Sequence, residues 1–254
     1  MKEQWRLLQT GFNTAFSNMA VDRAILVVNS EGKVPPTVRF YGWIPSAISI
    51  GYFQSLADEV DIRACERLGV DYVRRITGGG AVFHEKELTY SIVIPESHPE
   101  IPKNIMKSYG RICGAVQKGL HHLGIESEYV PINDIVTGGR KISGNAQTRK
   151  LETVLQHGTV LMDVDVDKMF SLLKVPNEKI KDKLITDVKQ RVTSVRHLLG
   201  KDVRFEEVAG AMKIGFEEEF HVELIEGKLS KEELALAKKF EKECFSAKDW
   251  NHRR

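Results

Sequence analysis

The sequence predicts an α+β fold, a mixed β-sheet with helices packed on it. Three observations predict it. Segments rich in Val, Ile, Phe, Tyr and Trp recur as far as about Asp163. Segments with apolar residues at helical spacing interrupt them and then dominate the rest of the chain. Between two of the strand-like segments stands a run of three glycines, Gly78-Gly79-Gly80, where regular structure is disfavoured and the backbone is free to turn.

Taken in order, Trp5 to Gln9 reads as a strand, and Asn18 is placed to cap a helix from Met19 to about Val28. Thr37 to Trp43 and Ala47 to Tyr52 read as strands joined at Pro45-Ser46. Leu56 to Leu68 reads as a helix with Asp58 and Glu59 in its first turn and Gly69 as terminator. The glycine run follows, and then a strand from Leu88 to Pro95. Lys103 to Leu123 is amphipathic, with Ile105, Tyr109, Ile112, Val116 and Leu120 on one stripe. Asp134 to Ser143 predicts a tight hairpin, because Gly138-Gly139 tolerates the positive φ of a two-residue turn. Thr153 to Asp163 reads as a strand, and Asp165 to Leu173 as a short helix. Pro176 to Arg191 is charged and is read as exposed. Phe205 to Phe216 and Ser230 to Phe245 read as helices, the second opened by a capping box, Ser230-Lys231-Glu232-Glu233. The whole chain, 1–254, is read as one domain with a helix-rich C-terminal part from about residue 165.

Composition narrows the function. Charged residues are 28%, hydrophobic residues 42% and the formal net charge is +2. That balance gives no basis for a nucleic-acid or membrane-surface partner. No apolar run is long enough to span a bilayer, and Met1 to Trp5 lacks a signal-peptide core. Cys65, Cys113 and Cys244 are odd in number and far apart, which suggests neither a zinc site nor a disulfide framework. A reducing cytoplasm is the expected location.

Two stretches carry chemistry. In Arg74-Arg75-Ile76-Thr77-Gly78-Gly79-Gly80-Ala81-Val82-Phe83-His84, glycine amides can form an anion-binding concavity beside arginine forks. It is neither a Walker A loop nor a dinucleotide fingerprint, since a strand rather than a helix follows. In Asn133-Asp134 and Arg140-Lys141-Ile142-Ser143-Gly144-Asn145-Ala146-Gln147, a lysine leaving a hairpin can stabilise charge developing on a carbonyl or phosphoryl oxygen. His84 and His157 are candidate donors or acid–base groups. Asp134 is a candidate anchor for Mg²⁺, for Lys141 or for an incoming amine. Phe40, Tyr41, Trp43, Tyr52 and Phe53 could wall an apolar pocket.

These motifs resemble the lipoate–protein ligase A family over most of the chain. Arg74 to His84, Asn133 to Val136, Gly139 to Gln147, Leu155 to Gly158 and Arg191 to Val195 match its blocks in order. Glu85 stands where that family usually has Asp. The resemblance implies the fold of class II aminoacyl-tRNA synthetases and biotin–protein ligases. It also implies ATP-dependent activation of lipoate to lipoyl-AMP with Mg²⁺. Transfer to a lysine of a lipoyl acceptor domain would follow, on a 2-oxoacid dehydrogenase E2 or the glycine cleavage H protein. Carried over residue by residue, Gly78 to Gly80 and Arg75 hold the adenylate and lipoyl end, within a wall formed by Thr77, Ala81, Val82, Phe83 and His84. Lys141 is catalytic. Asn133, Asp134, Ser143, Gly144, Ala146 and His157 complete the pocket, with Asp134 as metal ligand. The chain ends soon after Trp250, so a separate small protein is expected to supply the accessory domain of longer ligases.

LipM-type octanoyltransferases are the neighbouring resemblance. They use a cysteine in a loop before the lysine hairpin, and here Glu126 to Lys141 contains none. The sequence therefore ranks ligase first and transfer of octanoyl or lipoyl groups between carrier proteins second. A catalytically silent binding relative ranks behind both.

Overall fold

The computed structural model describes residues 2–174 and 181–253. Among the described residues the elements are, in order, β1 (Gln4–Asn13), α1 (Ala15–Ser30), β2 (Thr37–Trp43), β3 (Ala47–Ile50), α2 (Leu56–Glu59), α3 (Ile62–Leu68), β4 (Asp71–Arg74), β5 (Val82–His84), β6 (Glu87–Pro95), α4 (Ile105–His122), β7 (Glu128–Val130), β8 (Asp134–Thr137), β9 (Arg140–Lys150), β10 (Thr153–Leu161), α5 (Val166–Leu172), α6 (Lys181–Arg191), α7 (Val195–Leu199), α8 (Phe205–Phe220), β11 (Glu223–Glu226), α9 (Lys231–Phe240) and α10 (Lys248–Asn251). A π-helical turn, Glu241–Phe245, continues α9.

The strands form an eight-stranded mixed sheet, ordered β11-β1-β2-β6-β10-β9-β8-β7, and a three-stranded sheet ordered β4-β3-β5. Strand alternation gives the large sheet two apolar faces. Leu7, Phe40, Tyr90 and Ile92 meet α4 and α8 on one side. Leu8, Tyr41, Trp43, Val93 and Leu155 meet α1 and α9 on the other. A third core, with Ile48, Ile50, Leu56, Cys65, Phe83 and Leu172, joins the small sheet to α2, α3 and α5.

Several boundaries differ from the sequence reading for identifiable reasons. Thr14, not Asn18, caps α1 by accepting from the Ser17 amide. Asn18 lies fully inside, where its side chain donates to the Gly42 carbonyl and accepts from Arg39. The expected helix from Leu56 to Leu68 is broken at Val60, which bridges to Leu173, and Asp61 caps a fresh helix. The strand β11 and the short helices α7 and α10 carry no periodic signal long enough to be read. Of the charged stretch Pro176 to Arg191, residues 176–180 lie outside the described residues, and the remainder forms α6. The Gly138-Gly139 turn has the anticipated positive φ values of 53° and 73°, and the Ser230–Glu233 capping box closes as expected.

Candidate active site

The two sheets meet around an open cleft. The large sheet contributes Tyr41, Trp43, Thr89, Lys141, Gly144, Asn145, Ala146, His157, Gly158 and Thr159, while the small sheet and its loop contribute Ser49, Arg75, Gly79 to Val82 and His84. Met19 from α1 and Asn133 complete the lining. Most of the residues expected from the two motifs thus converge on one cavity.

The glycine loop leaves β4 and returns as β5. Gly79 has φ +95°, and a Cβ on Gly51 would fall 1.9 Å from the Gly79 carbonyl oxygen. Glycines on both sides therefore let the loop lie directly against the end of β3. Among the described residues, the N–H groups of Gly78, Gly79 and Gly80 meet no acceptor.

Arg75 fixes this loop. Its Nη2 donates to the carbonyls of Gly78 (2.8 Å) and Gly80 (2.7 Å), and Nη1 donates to the Ser49 carbonyl (2.9 Å) and Oγ (3.0 Å). Its Nε donates to Thr77 Oγ1 at 3.1 Å. Every guanidinium N–H is thereby used within the protein, so the direct fork on a ligand expected for Arg75 is corrected to a loop-holding role. Among the described residues it has no carboxylate partner, and burial pulls its pKa down to about 10. Its charge still faces the cleft. Arg74, the other expected cation, points away and donates to the backbone carbonyls of Gly51, Tyr52, Gln54, Trp250 and Asn251.

Hydroxyl–imidazole–carboxylate chains lie on either side of Arg75. On one side His84 Nε2 is 2.7 Å from Ser49 Oγ and its Nδ1 is 2.6 Å from Glu87 Oε1. Thr89 also donates to Glu87 Oε1, Trp43 Nε1 donates to Thr89, and the His84 ring stacks on Trp43 with centroids 4.0 Å apart. On the other side His157 Nε2 is 2.7 Å from Thr77 Oγ1 and its Nδ1 is 3.2 Å from Asp22 Oδ2. Asp22 is further bound by Arg39 (2.7 Å), Tyr41 and Ser91. Burial raises the Asp22 pKa, but Arg39 and His157 more than offset this and it ends below the usual carboxylate range. Burial holds the His157 pKa below its ordinary value despite Asp22, so the ring is neutral.

Lys141 enters from β9. A bulge between Ile135 and Val136 shifts the β8–β9 register beside it, which re-aims the side chain. Its Nζ lies 2.7 Å from Asp134 Oδ1, and both side chains are over one-third exposed. A Cβ at Gly144 would lie 2.8 Å from the lysine Nζ and Cε, so glycine there gives the lysine its path across the strand. Thr193 donates its amide to the Lys141 carbonyl at 2.9 Å, which places the Arg191-to-Val195 element against the lysine strand. Asn133 latches this edge, its side chain donating to the Asn145 carbonyl and its carbonyl accepting from Asn145.

Other expectations change. Asp134 is engaged by Lys141, and among the described residues no group of three or more His, Cys, Asp or Glu side chains is placed to hold a metal. Thr77 and Ser143 are fully buried behind the wall. Phe83 packs into the third core. Of the aromatic candidates only Tyr41 and Trp43 line the cleft. Phe40 belongs to the α4/α8 core, and Tyr52 and Phe53 lie elsewhere. Ser49, Thr89, Glu87 and Met19 were missed, because isolated residues in strands and helices carry no spacing signal.

The cleft combines an apolar wall, free loop amides and one accessible ammonium group. This set can seat an acyl chain and stabilise an oxyanion at its carbonyl. No thiol lines it. Cys113 is fully buried in α4, where burial pushes its pKa up to about 12.

The comparisons correct one reading. The chain is 39% identical to the octanoyltransferase LipM of Geobacillus kaustophilus, over 100% of this chain and 99% of that protein. It is 34% identical to the LipM of Bacillus subtilis with the same coverage. A bi-partite lipoate protein ligase from Thermoplasma acidophilum superposes with a TM-score of 0.89 at 30% identity, covering 98% of this chain and 96% of that one. The curated relatives being octanoyltransferases overturns the ATP-dependent ligase reading in favour of the second-ranked one, acyl transfer between carriers. The match of the lipoyl protein ligase A/B catalytic domain model to residues 14–217 gives the family its name: the chain belongs to the lipoyl protein ligase A/B catalytic domain family, as an enzyme of its ligase and octanoyltransferase branch.

Proposed function

We propose that this chain moves an octanoyl group from the thioester of an acyl carrier protein to one lysine of a lipoyl acceptor domain, an E2 or an H protein. The observation that carries the reading is the convergence of Lys141 and the unbonded loop amides on one apolar-walled cleft. The acyl chain lies along Met19, Tyr41 and Trp43. Lys141 offers its ammonium group to the carbonyl oxygen as it becomes an oxyanion, and Asp134 keeps that ammonium in place. The C–S bond breaks, the carrier thiol leaves with a proton, and the acceptor lysine ends as an amide. A thioester is already activated, so this reaction consumes no ATP and requires neither Mg²⁺ nor an accessory protein.

Mass spectrometry of an acceptor domain tests it. The chain with octanoyl carrier protein, without ATP, should add an octanoyl group to a single acceptor lysine. Modification only when lipoate, ATP and Mg²⁺ replace the octanoyl carrier would overturn the reading.

A further inference from the structure

We infer that Ser49, oriented by His84 and Glu87, is the nucleophile that carries the acyl group between donor and acceptor. The inference rests on the proposed octanoyl transfer and supplies the covalent step for a cleft that no cysteine lines.

One tautomer of His84, with Nδ1 protonated and Nε2 bare, sets Ser49 up as a nucleophile, and the proposed step uses that tautomer. His84 Nδ1 then donates to Glu87 Oε1 across the 2.6 Å contact. In that tautomer Nε2 accepts the Ser49 hydroxyl hydrogen across the 2.7 Å contact. Arg75 Nη1 occupies a lone pair of the same oxygen at 3.0 Å, which steers the hydroxyl hydrogen towards the imidazole and favours the alkoxide form. Nucleophile, base and orienting carboxylate are thus in hydrogen-bond series. Ser49 and His84 both line the cleft that holds Lys141.

The charge arrangement supports a catalytic rather than a purely structural chain. Glu87 is buried, its Oε2 meets no donor, and among the described residues its only ion-pair partner is His84. Its charge is therefore available to stabilise an imidazolium at His84. In the parallel chain Asp22 is already neutralised by Arg39, and Thr77 is sealed from the cleft.

The steps balance. Ser49 Oγ attacks the thioester carbonyl while its proton passes to His84 Nε2. The C–S bond breaks and the carrier thiolate takes that proton, leaving an octanoyl ester on Ser49. The neutral amine of the acceptor lysine attacks this ester. Its proton returns through His84 to Ser49 Oγ, and the amide is released.

Incubating the wild-type chain with octanoyl carrier protein, without acceptor, and quenching in acid should give an octanoyl ester on the peptide containing Ser49. Adding acceptor domain should discharge it onto the acceptor lysine. Ser49→Ala should abolish the adduct and lower transfer by at least about a hundred-fold, whereas Ser49→Cys should retain an adduct, now a thioester. Octanoyl transfer by the wild type with no adduct on Ser49, or with the adduct on a cysteine, would overturn the inference and leave the proposed function standing. No transfer from octanoyl carrier protein at all would remove both. The trapping measurement uses the unaltered chain, so it does not depend on how any variant folds.

Discussion

The two chains beside Arg75 use the same three kinds of group with opposite charge surroundings. Thr77–His157–Asp22 is closed: its hydroxyl is fully buried, and its carboxylate already holds Arg39, Tyr41 and Ser91. In Ser49–His84–Glu87 the serine, although only 2% exposed, is a lining residue of the cleft together with His84, and among the described residues no guanidinium or ammonium pairs with its carboxylate. The difference teaches that a hydroxyl–histidine–carboxylate series is not itself a function. What separates a brace from a reactive group is whether the acid's charge is already used and whether the hydroxyl reaches a cavity.

Substitutions of the carboxylate partners bear on this contrast most strongly. Arg39→Met leaves Asp22 charged and buried without its cation, and should destabilise the fold by about 3–5 kcal/mol. Glu87→Gln should cost about 1 kcal/mol or less, because the amide oxygen can still accept from His84, while lowering octanoyl transfer by about a hundred-fold or more. Denaturant unfolding of both variants alongside transfer assays checks the pair. Equal stability losses would erase the distinction between brace and reactive group.

A smaller effect lies in the pH dependence of stability. His157 has a folded pKa below its unfolded value, so the unfolded chain binds more protons as the medium acidifies. The stability contributed by keeping the ring neutral is present above the ordinary histidine pKa, about 6.5, and is lost as pH falls through it. Asp22, whose pKa is lowered, adds a separate loss only in the ordinary carboxylate range, near 4. Melting temperature should therefore fall between about pH 7 and pH 5, and His157→Gln should flatten that fall. An unchanged slope in the variant would show that His157 is not the titrating brace.

Much of this fold was legible because the signals were local. The Gly138-Gly139 turn, the Ser230–Glu233 capping box, the amphipathic α4 and the glycine loop between strands each announce themselves within a few residues. What was not legible depends on distant partners. Asn18 has the chemistry of a cap but is needed by Arg39 and Gly42 inside the core. The strand β11 exists because β1, more than two hundred residues earlier, offers it an edge. Arg75 reads in sequence as a ligand fork, whereas in the fold the carbonyls of its own loop occupy it. The site followed the same pattern. Lys141 and the glycine loop were visible as motifs, whereas Ser49, Glu87 and Thr89 are single residues in strands and gain meaning only when β3, β5 and β6 come together. The choice between ligase and transferase turned on an absent cysteine, and that absence does not exclude acyl transfer where a cleft offers another route.

The most direct test of the central claim is the turnover of Lys141→Ala with octanoyl carrier protein and an acceptor domain. Loss of the ammonium group should lower kcat by about 10²–10³-fold, with KM for the octanoyl carrier nearly unchanged. A variant that transfers octanoyl groups at the wild-type kcat would contradict the account, because the cleft would then be stabilising the reacting carbonyl without the lysine.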